Sequence, residues 1–475
     1  MIMYELKFCR RWRSIILLFV SSFVFGYANG QSNFILYGFD AIPQSNYLNP
    51  AFQPAAKVVV GFPGLSNLDI SYLNTAGAFN DFFTTKNGND SLFLNLSKVI
   101  SDNHGVDKIN ISLNQDLLFF GFKIKQSFLS FGLKQRVLVN VILPTDLIKL
   151  AWFGNAPYVG QTLDLSTTAI NENHFFDYHV GLSIPITSKI HLGFRVHLLQ
   201  GLSNIYTVNN KLQITTTDNS QNAYDMVAST RFIVNTAGLP DSTDFDPGTY
   251  FTNFKNIGFS FDLGADFKIN DQISISASLL DLGSINFRGK TKNYQSQEDS
   301  VHFSGFNEDV VNSGSNPFEN IGDSLSDLLH VTDYSQNYRA KIPMRLIVGG
   351  QYFSVDHKNR ASVLFSGRFY PGYFEPAVSL AFDRTISKHF SFKLSYTYIR
   401  YDPVYIGMAF ALNVKPFQFY MYTDNILGVA RWDKQRFVQL GFGLNIQIPD
   451  KKNSKRIPPM IKRMIKSAKP EKTGL

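Results

Sequence analysis

The 475 residues are 17% charged and 15% aromatic, with 44 Phe, 22 Tyr and 3 Trp and no cysteine-rich or Pro/Gly-biased pattern, which excludes a disulfide scaffold, collagen and disorder. The formal charge of +8 belongs to the two ends: residues 1–30 carry +3 and 451–475 carry +8, while the body, 31–450, has 32 basic and 35 acidic residues and stands at −3. The basic pI therefore says nothing about a groove on the body, and nucleic acid is not expected as a partner.

Residues 1–30 read as a secretory signal peptide. Lys7, Arg10, Arg11 and Arg13 precede an apolar run from Ser14 to Tyr27, and Ala28-Asn29-Gly30 supplies the small residues that a signal peptidase needs. The run is shorter than the roughly 20 residues of a membrane-spanning helix, so cleavage before Gln31 is expected. Cys9, the one cysteine, leaves with the peptide, and a mature chain without thiols has no disulfide and no thiolate metal site. Beyond residue 30 no stretch of 18 apolar residues follows. The exported chain is therefore either soluble or spans a membrane as strands.

Residues 31–64 precede the first clear strand and hold Ile42-Pro43 and Asn49-Pro50, two X-Pro steps that break regular pairing. Two readings stand for this segment: a plug or hatch inside a barrel, where irregular backbone is tolerated, or a cap on the periplasmic mouth.

From there to Pro449 the chain alternates with period two. Ile190, Leu192, Phe194, Val196 and Leu198 share one face. Phe259, Phe261, Leu263, Ala265, Phe267 and Ile269 oppose Ser260, Asp262, Gly264, Asp266 and Lys268. The pattern recurs over 273–279, 390–398, 406–414 and 438–448. Many runs reach the roughly 9–11 residues that cross a bilayer at a tilt, longer than common soluble strands, and their second face is rich in Gly, Ser, Asn and Gln. The fold class is all-β: a transmembrane antiparallel β-barrel of about 14 strands, or 16 if 205–216 and 223–234 form another membrane hairpin, with an N-terminal plug or hatch segment. The domains are 1–30 signal peptide, 31–64 plug, 65–449 barrel and 450–475 basic periplasmic tail.

Tight connections at Thr187-Ser188, Asn270-Asp271, Asp356–Asn359, Ser387-Lys388 and Lys415-Pro416 mark the periplasmic end, and the longer 76–108, 143–175, 289–342 and 424–435 the outer end. Helical spacing is expected in three loops, over Asp90–Ile100, Thr145–Trp152 and Pro317–Leu329. In the tail, Met460, Ile461, Met464 and Ile465 among Lys and Arg allow a short basic amphipathic helix, on anionic headgroups or an acidic partner, or a solvated end.

The Asn49-Pro50-Ala51 box behind an exported N-terminus resembles that of the FadL-like outer-membrane transporters, which implies an N-terminal hatch in a 14-stranded barrel. A broader similarity is to an uncharacterised family of Bacteroidetes-type outer-membrane barrels, related in style to barrel components of type IX secretion. It is carried by Gln44–Phe52, Leu143–Ile148 with Phe153-Gly154-Asn155, Gly193–Arg195 through Gly201, and Gly258–Gly264 with Leu280–Gly283. The resemblance implies an outer-membrane location and a barrel from about 31 to 449, and transport by analogy only.

Parity points Arg136, Asp177, His179, Arg195, Asp262, Asp266, Asp383 and Lys393 into the lumen as a charge network, with a structural pairing role or a substrate-orienting one. His191 and His197 share that parity with Ser183 and Asp177 on the neighbouring strand, but nothing fixes a Ser/His/acid geometry, and His174, Asp177 and His179 are not at a zinc spacing. No enzyme, cofactor or metal is expected. The partners expected are outer-membrane lipid, an apolar small-molecule ligand for a hatch-gated passive transporter, or a periplasmic or secretion-machinery protein for a non-transporting scaffold. Mass spectrometry of the chain recovered from outer membranes is expected to place its N-terminus at Gln31; an intact Met1 would remove the exported, thiol-free premise.

Overall fold

The computed structural model describes residues 33–85, 92–101, 105–218, 223–239, 246–296, 299–303, 331–399 and 402–449. The expected signal peptide, the basic tail and the loop helix over 317–329 lie outside them.

Fourteen strands close into one antiparallel barrel. The first, β1, is in two pieces, Ala56–Gly61 and Leu68–Asn74. There follow β2 (Val106–Ile124), β3 (Ser127–Pro144), β4 (Ala169–Pro185), β5 (Ile190–Asn210), β6 (Ile257–Lys268) and β7 (Ile273–Phe287). The second half comprises β8 (Met344–Phe353), β9 (Asn359–Tyr370), β10 (Tyr373–Thr385), β11 (Phe390–Ile399), β12 (Asp402–Val414), β13 (Phe417–Thr423) and β14 (Phe437–Pro449). Both pieces of β1 pair with β14 on one side and β2 on the other, so no wall strand is left with an open edge.

The alternation that defines the strands also sorts their faces. On β6, Phe259, Phe261 and Leu263 face outward and are 57%, 41% and 47% exposed, while Ser260 and Asp262 are buried inside. The same division runs through β11, with Leu394, Tyr396 and Tyr398 outside and Lys393, Ser395 and Thr397 inside. An apolar outer face around a polar interior is what a bilayer-spanning barrel requires. No helix of the described residues is long and apolar enough to cross a membrane.

All the tight turns expected at one end are there, between β4 and β5, β6 and β7, β8 and β9, β10 and β11, and β12 and β13; the long connections gather at the other end. The strand count settles at 14. Residues 205–210 extend β5, and Phe232–Ala237 pairs with them, raising one side of the wall. Gln213–Asp218 and Ala223–Thr230 turn away from the wall and form a separate four-stranded sheet with Thr162–Asp164 and Asp299–Phe303.

Two boundaries need correction. The barrel begins at Ala56 rather than 65, because Val58, Val59 and Val60 pair with both neighbours; Phe62–Asn67 interrupts that strand and hid its start. Of the helix expected over 90–100, the described part is a strand, Leu92–Leu94, paired with Phe83–Thr85, followed by a short helix, Ser97–Ser101. The helix expected from Thr145 is present over Thr145–Phe153.

Leu263→Arg, near the middle of the outer face of β6, is expected to lower the free energy of folding into lipid vesicles by about 2–4 kcal/mol, and Ile269→Arg, beside the turn, by about 0–1 kcal/mol. Urea titration of vesicle-folded protein reads both. Equal costs would argue against this membrane depth.

Candidate functional site

A 14-stranded barrel is wider than its own side chains can fill. Here the lumen is occupied by the chain that precedes β1, Asn33 to Ala55, most of it buried. Two tight 3-10 turns, Phe34–Leu36 and Pro43–Tyr47, give it shape, the second opened by a proline whose missing N–H would find no partner there. Its irregular backbone is satisfied from the wall. The Asp424 carboxylate accepts from the Phe34 and Ile35 amides at 3.0 and 2.8 Å. Lys393 Nζ donates to the Tyr37 carbonyl at 2.5 Å, Gln418 to Ala41 at 2.6 Å, Ser278 to Leu48 at 2.6 Å and Ser183 to Ala51 at 2.9 Å. These bonds remove the penalty that unpaired backbone would carry at membrane depth.

The segment also brings its own apolar core. Phe34, Ile35, Leu36, Tyr37, Phe39, Ile42, Leu48 and Phe52 pack with Ile347, Leu364, Tyr405, Tyr420 and Phe437 of the wall. On the other side the Asn49-Pro50-Ala51 box lies flat against β4 to β7. Asn49 Nδ2 donates to the carbonyls of Ala265 and Ala277 at 3.1 and 3.3 Å, and its Oδ1 accepts from the Ala51 amide at 2.9 Å. The approach is close because two wall residues have no side chain: a Cβ at Gly193 would overlap the Pro50–Ala51 peptide, and one at Gly264 would overlap Asn49.

Six of the eight residues assigned to the lumen by parity take part in ion pairs there. Arg136 holds Asp281 with two bonds, 2.6 and 3.0 Å, and lies 3.6 Å from Asp177. Arg195 pairs with Asp262 at 2.9 Å and binds Asn46 of the lumen segment through both its carbonyl and its side chain. His179 lies 3.5 Å from Asp177. Asp383 and Lys393 meet at 3.7 Å in a second group, on the opposite wall. Asp266 is buried but joins no ion pair among the described residues.

Parity reading passed over the residues that complete both groups. Arg360 makes a two-bond pair with Asp383, 2.9 and 3.1 Å, and reaches Asp40 of the lumen segment at 3.0 Å. Asp116 and Lys134 are direct cross-strand partners, and Tyr47 donates to Asp116 at 2.6 Å with Lys134 over its ring. Asp281 and Asp116 both sit where the strand register shifts, so simple alternation misplaces them. Lys134 shares the parity of Arg136 and was legible. The Ser/His/acid combination does not assemble: Ser183 is committed to Ala51, and His197, not His191, meets Asp177, at 2.7 Å.

Above these groups the lumen opens at the loop end into a cavity of about 1330 Å³, whose walls include Tyr206, Phe369, Tyr370 and Tyr373. Among the described residues its charged lining is Lys108, Arg339 and Lys341, with no carboxylate. A small polar pocket of about 40 Å³ lies beneath it, lined by Asn110, Asn140, Arg136, Asp281 and Arg368 among others. Asn140 ties that floor together by donating to Tyr373 at 2.6 Å and to Asn110 at 2.5 Å.

The model of a family of unknown function (DUF5723) matches residues 50–424. A comparison with curated proteins finds no match. Among solved structures, the chain is similar to the toluene transporter TodX of P. putida, with 10% identity over 86% of this chain and 93% of that one, at a TM-score of 0.40. It is likewise similar to the toluene transporter TbuX of Ralstonia pickettii, with 8% identity over 86% and 94% and a TM-score of 0.41. A FadL homologue of Pseudomonas aeruginosa matches with 10% identity over 89% and 100% and a TM-score of 0.39.

Arg360→Met leaves Asp383 buried with only the more distant Lys393, and is expected to cost about 3–5 kcal/mol, read as a lower denaturation midpoint in detergent. The double variant Arg360→Met/Asp383→Asn is expected to recover part of that loss, since it strands no carboxylate and keeps an amide oxygen facing Lys393. A double variant worse than the single one would show that the pair itself, not the orphaned charge, sets the cost.

Proposed function

We propose, from the premise that this chain belongs to the family of unknown function (DUF5723), that it is an outer-membrane barrel passing a small, largely apolar molecule passively, with residues 33–55 as the gating hatch. One observation carries the reading. The segment that occupies the lumen is not part of the wall: it is joined to it covalently at Ala56 and otherwise held by side-chain hydrogen bonds, ion pairs and packing. Such an element can leave its seat without opening a strand edge to lipid. The cavity above it supplies the collecting site, with Tyr206, Phe369, Tyr370 and Tyr373 for an apolar body and Lys108, Arg339 and Lys341 for a polar end.

A second reading has its own support. The sheet formed by Thr162–Asp164, Gln213–Asp218, Ala223–Thr230 and Asp299–Phe303 stands apart from the barrel and is built from separate loops, which suits a docking platform for secretion or surface machinery. Under that reading the lumen stays shut.

A tether separates the two. Ser183 Oγ lies 2.9 Å from the Ala51 carbonyl, and the described chain has no cysteine, so Ala51→Cys/Ser183→Cys gives one internal disulfide. Gating predicts that the oxidised protein shows no single-channel openings in planar bilayers and that reductant restores those of the wild type, while deletion of 34–54 raises conductance. Identical conductance in the oxidised, reduced and deleted forms would refute the hatch and favour the platform.

A further inference from the structure

Three buried ligand-type side chains meet where β4 and β5 pair. His179 and His197 are direct cross-strand partners, and Asp177 lies two residues along β4 on the same face. One donor atom from each lies within 4.8 Å of the others, and all three residues are at most 3% exposed.

His197 stands between two carboxylates. Its Nδ1 is 2.7 Å from Asp177 Oδ1 and its Nε2 is 3.1 Å from Asp262 Oδ2, but the second contact is not aligned as a hydrogen bond, so Nε2 is without a partner. A neutral imidazole carries one proton. Turned so that Nε2 serves Asp262, it leaves the gap to Asp177 to be filled by a second proton or a cation.

His179 shows which charge fits. Neither of its ring nitrogens has a hydrogen-bond partner, a costly arrangement for a fully buried ring. Its ring is wedged against Gly132, where a Cβ would overlap it, and its Nδ1 lies 3.5 Å from the same Asp177 Oδ1. A second proton on His197 would leave His179 orphaned. A metal ion reached by one nitrogen of each ring and by Asp177 Oδ1 takes up Nδ1 of His179 and leaves only its Nε2 without a partner. Metal bonds of about 2.0–2.2 Å at tetrahedral angles put ligand atoms roughly 3.3 Å apart, so the 2.7 Å pair opens slightly and the 3.5 Å pair closes slightly.

We propose that Asp177, His179 and His197 hold a divalent cation of the zinc class, with Asp262 as the carboxylate that fixes the tautomer of His197. A ring that binds metal through one nitrogen and donates the other N–H to a carboxylate is the usual outer arrangement of such sites. Two imidazoles and one carboxylate suit zinc rather than calcium or magnesium, which take mainly oxygen ligands. Asp116, Asp177, Asp262 and Asp281 face Lys134, Arg136 and Arg195, so with both rings neutral the cluster is one negative charge in excess; a divalent ion takes it to one positive and a proton on His197 to neutrality, which makes metal uptake, not charge, the deciding measurement. The cavity nearest to the cluster is the pocket beneath the outer cavity, lined by Arg136, which lies 3.6 Å from Asp177. The ion would sit against the lumen segment, where the Tyr47 ring meets His179 edge-on at 6.0 Å between centroids.

The test is equilibrium dialysis of the untagged, chelator-treated mature protein in detergent against Zn2+ or Co2+ at about pH 8, where free imidazole is neutral. Expected are one metal per chain and the intense visible absorption of four-coordinate Co2+. His179→Gln and His197→Gln should each abolish stoichiometric binding, Asp262→Asn should weaken it about 10–100-fold, and His191→Gln, on the same strand but outside the cluster, should leave it intact. A wild-type protein that takes up no metal, or shows only the pale spectrum of hydrated Co2+, overturns the site without reference to any variant and assigns the charge to a proton on His197. Uptake that survives His179→Gln overturns it as well.

Discussion

Hydrocarbon gives a strand edge nothing to bond with, so a membrane sheet must meet itself, and in this molecule it does so at an imperfect strand. The interruption of β1 at Phe62–Asn67 is bridged bond by bond: Phe62 donates to Leu444, Leu444 to Leu65, Gly64 to Leu117 and Asp116 to Asn67. The polar groups gathered there become the seat of the lumen segment. Gln44 binds Ser66 and Asn445, while Tyr420 and Tyr422 reach Ser66 and Asn67 from β13. The place where the wall is least regular is where its contents are attached.

Two materials fill the interior, in different proportions on its two sides. Against β8 to β14 the lumen segment presents Phe34 to Phe39, and the wall answers with aliphatic and tyrosine side chains around one charged group, Arg360, Asp383 and Lys393. Against β2 to β7 the wall is charged, and the segment answers with Tyr47, Asn46 and the Asn49 box. Removing the first side from water is favourable in itself, whereas the second depends on every ion finding a partner.

Much of this was legible in the sequence because period-two alternation states both that a strand exists and which face is wet. Leu263 and Phe261 alternate with Asp262, so the strand and both of its faces follow from the pattern. Alternation fails where register shifts, so Asp281 and Asp116, at bulges, give no signal, and the start of β1 at Ala56 is hidden because Phe62–Asn67 looks like a loop. Pairing across strands is a further layer that one sequence does not print. His174, Asp177 and His179 along a single strand have no metal spacing, and the partner that changes their meaning, His197, lies on the next strand, placed opposite His179 by the length of one tight turn. The Asn49 box was visible, but its glycine seats at 193 and 264 could be recognised only once the chain was folded over them.

The position of β1 in the chain has a bearing on biogenesis. The segment from Asn33 to Ala55 runs directly into β1, and β1 is the strand that pairs with β14, the last strand of the wall. Joining the first strand to the last turns an open sheet into a tube around whatever lies on its concave side. The segment's covalent attachment is at the seam itself, so the strand pairing that closes the tube also fixes the point on its rim from which the segment enters the lumen.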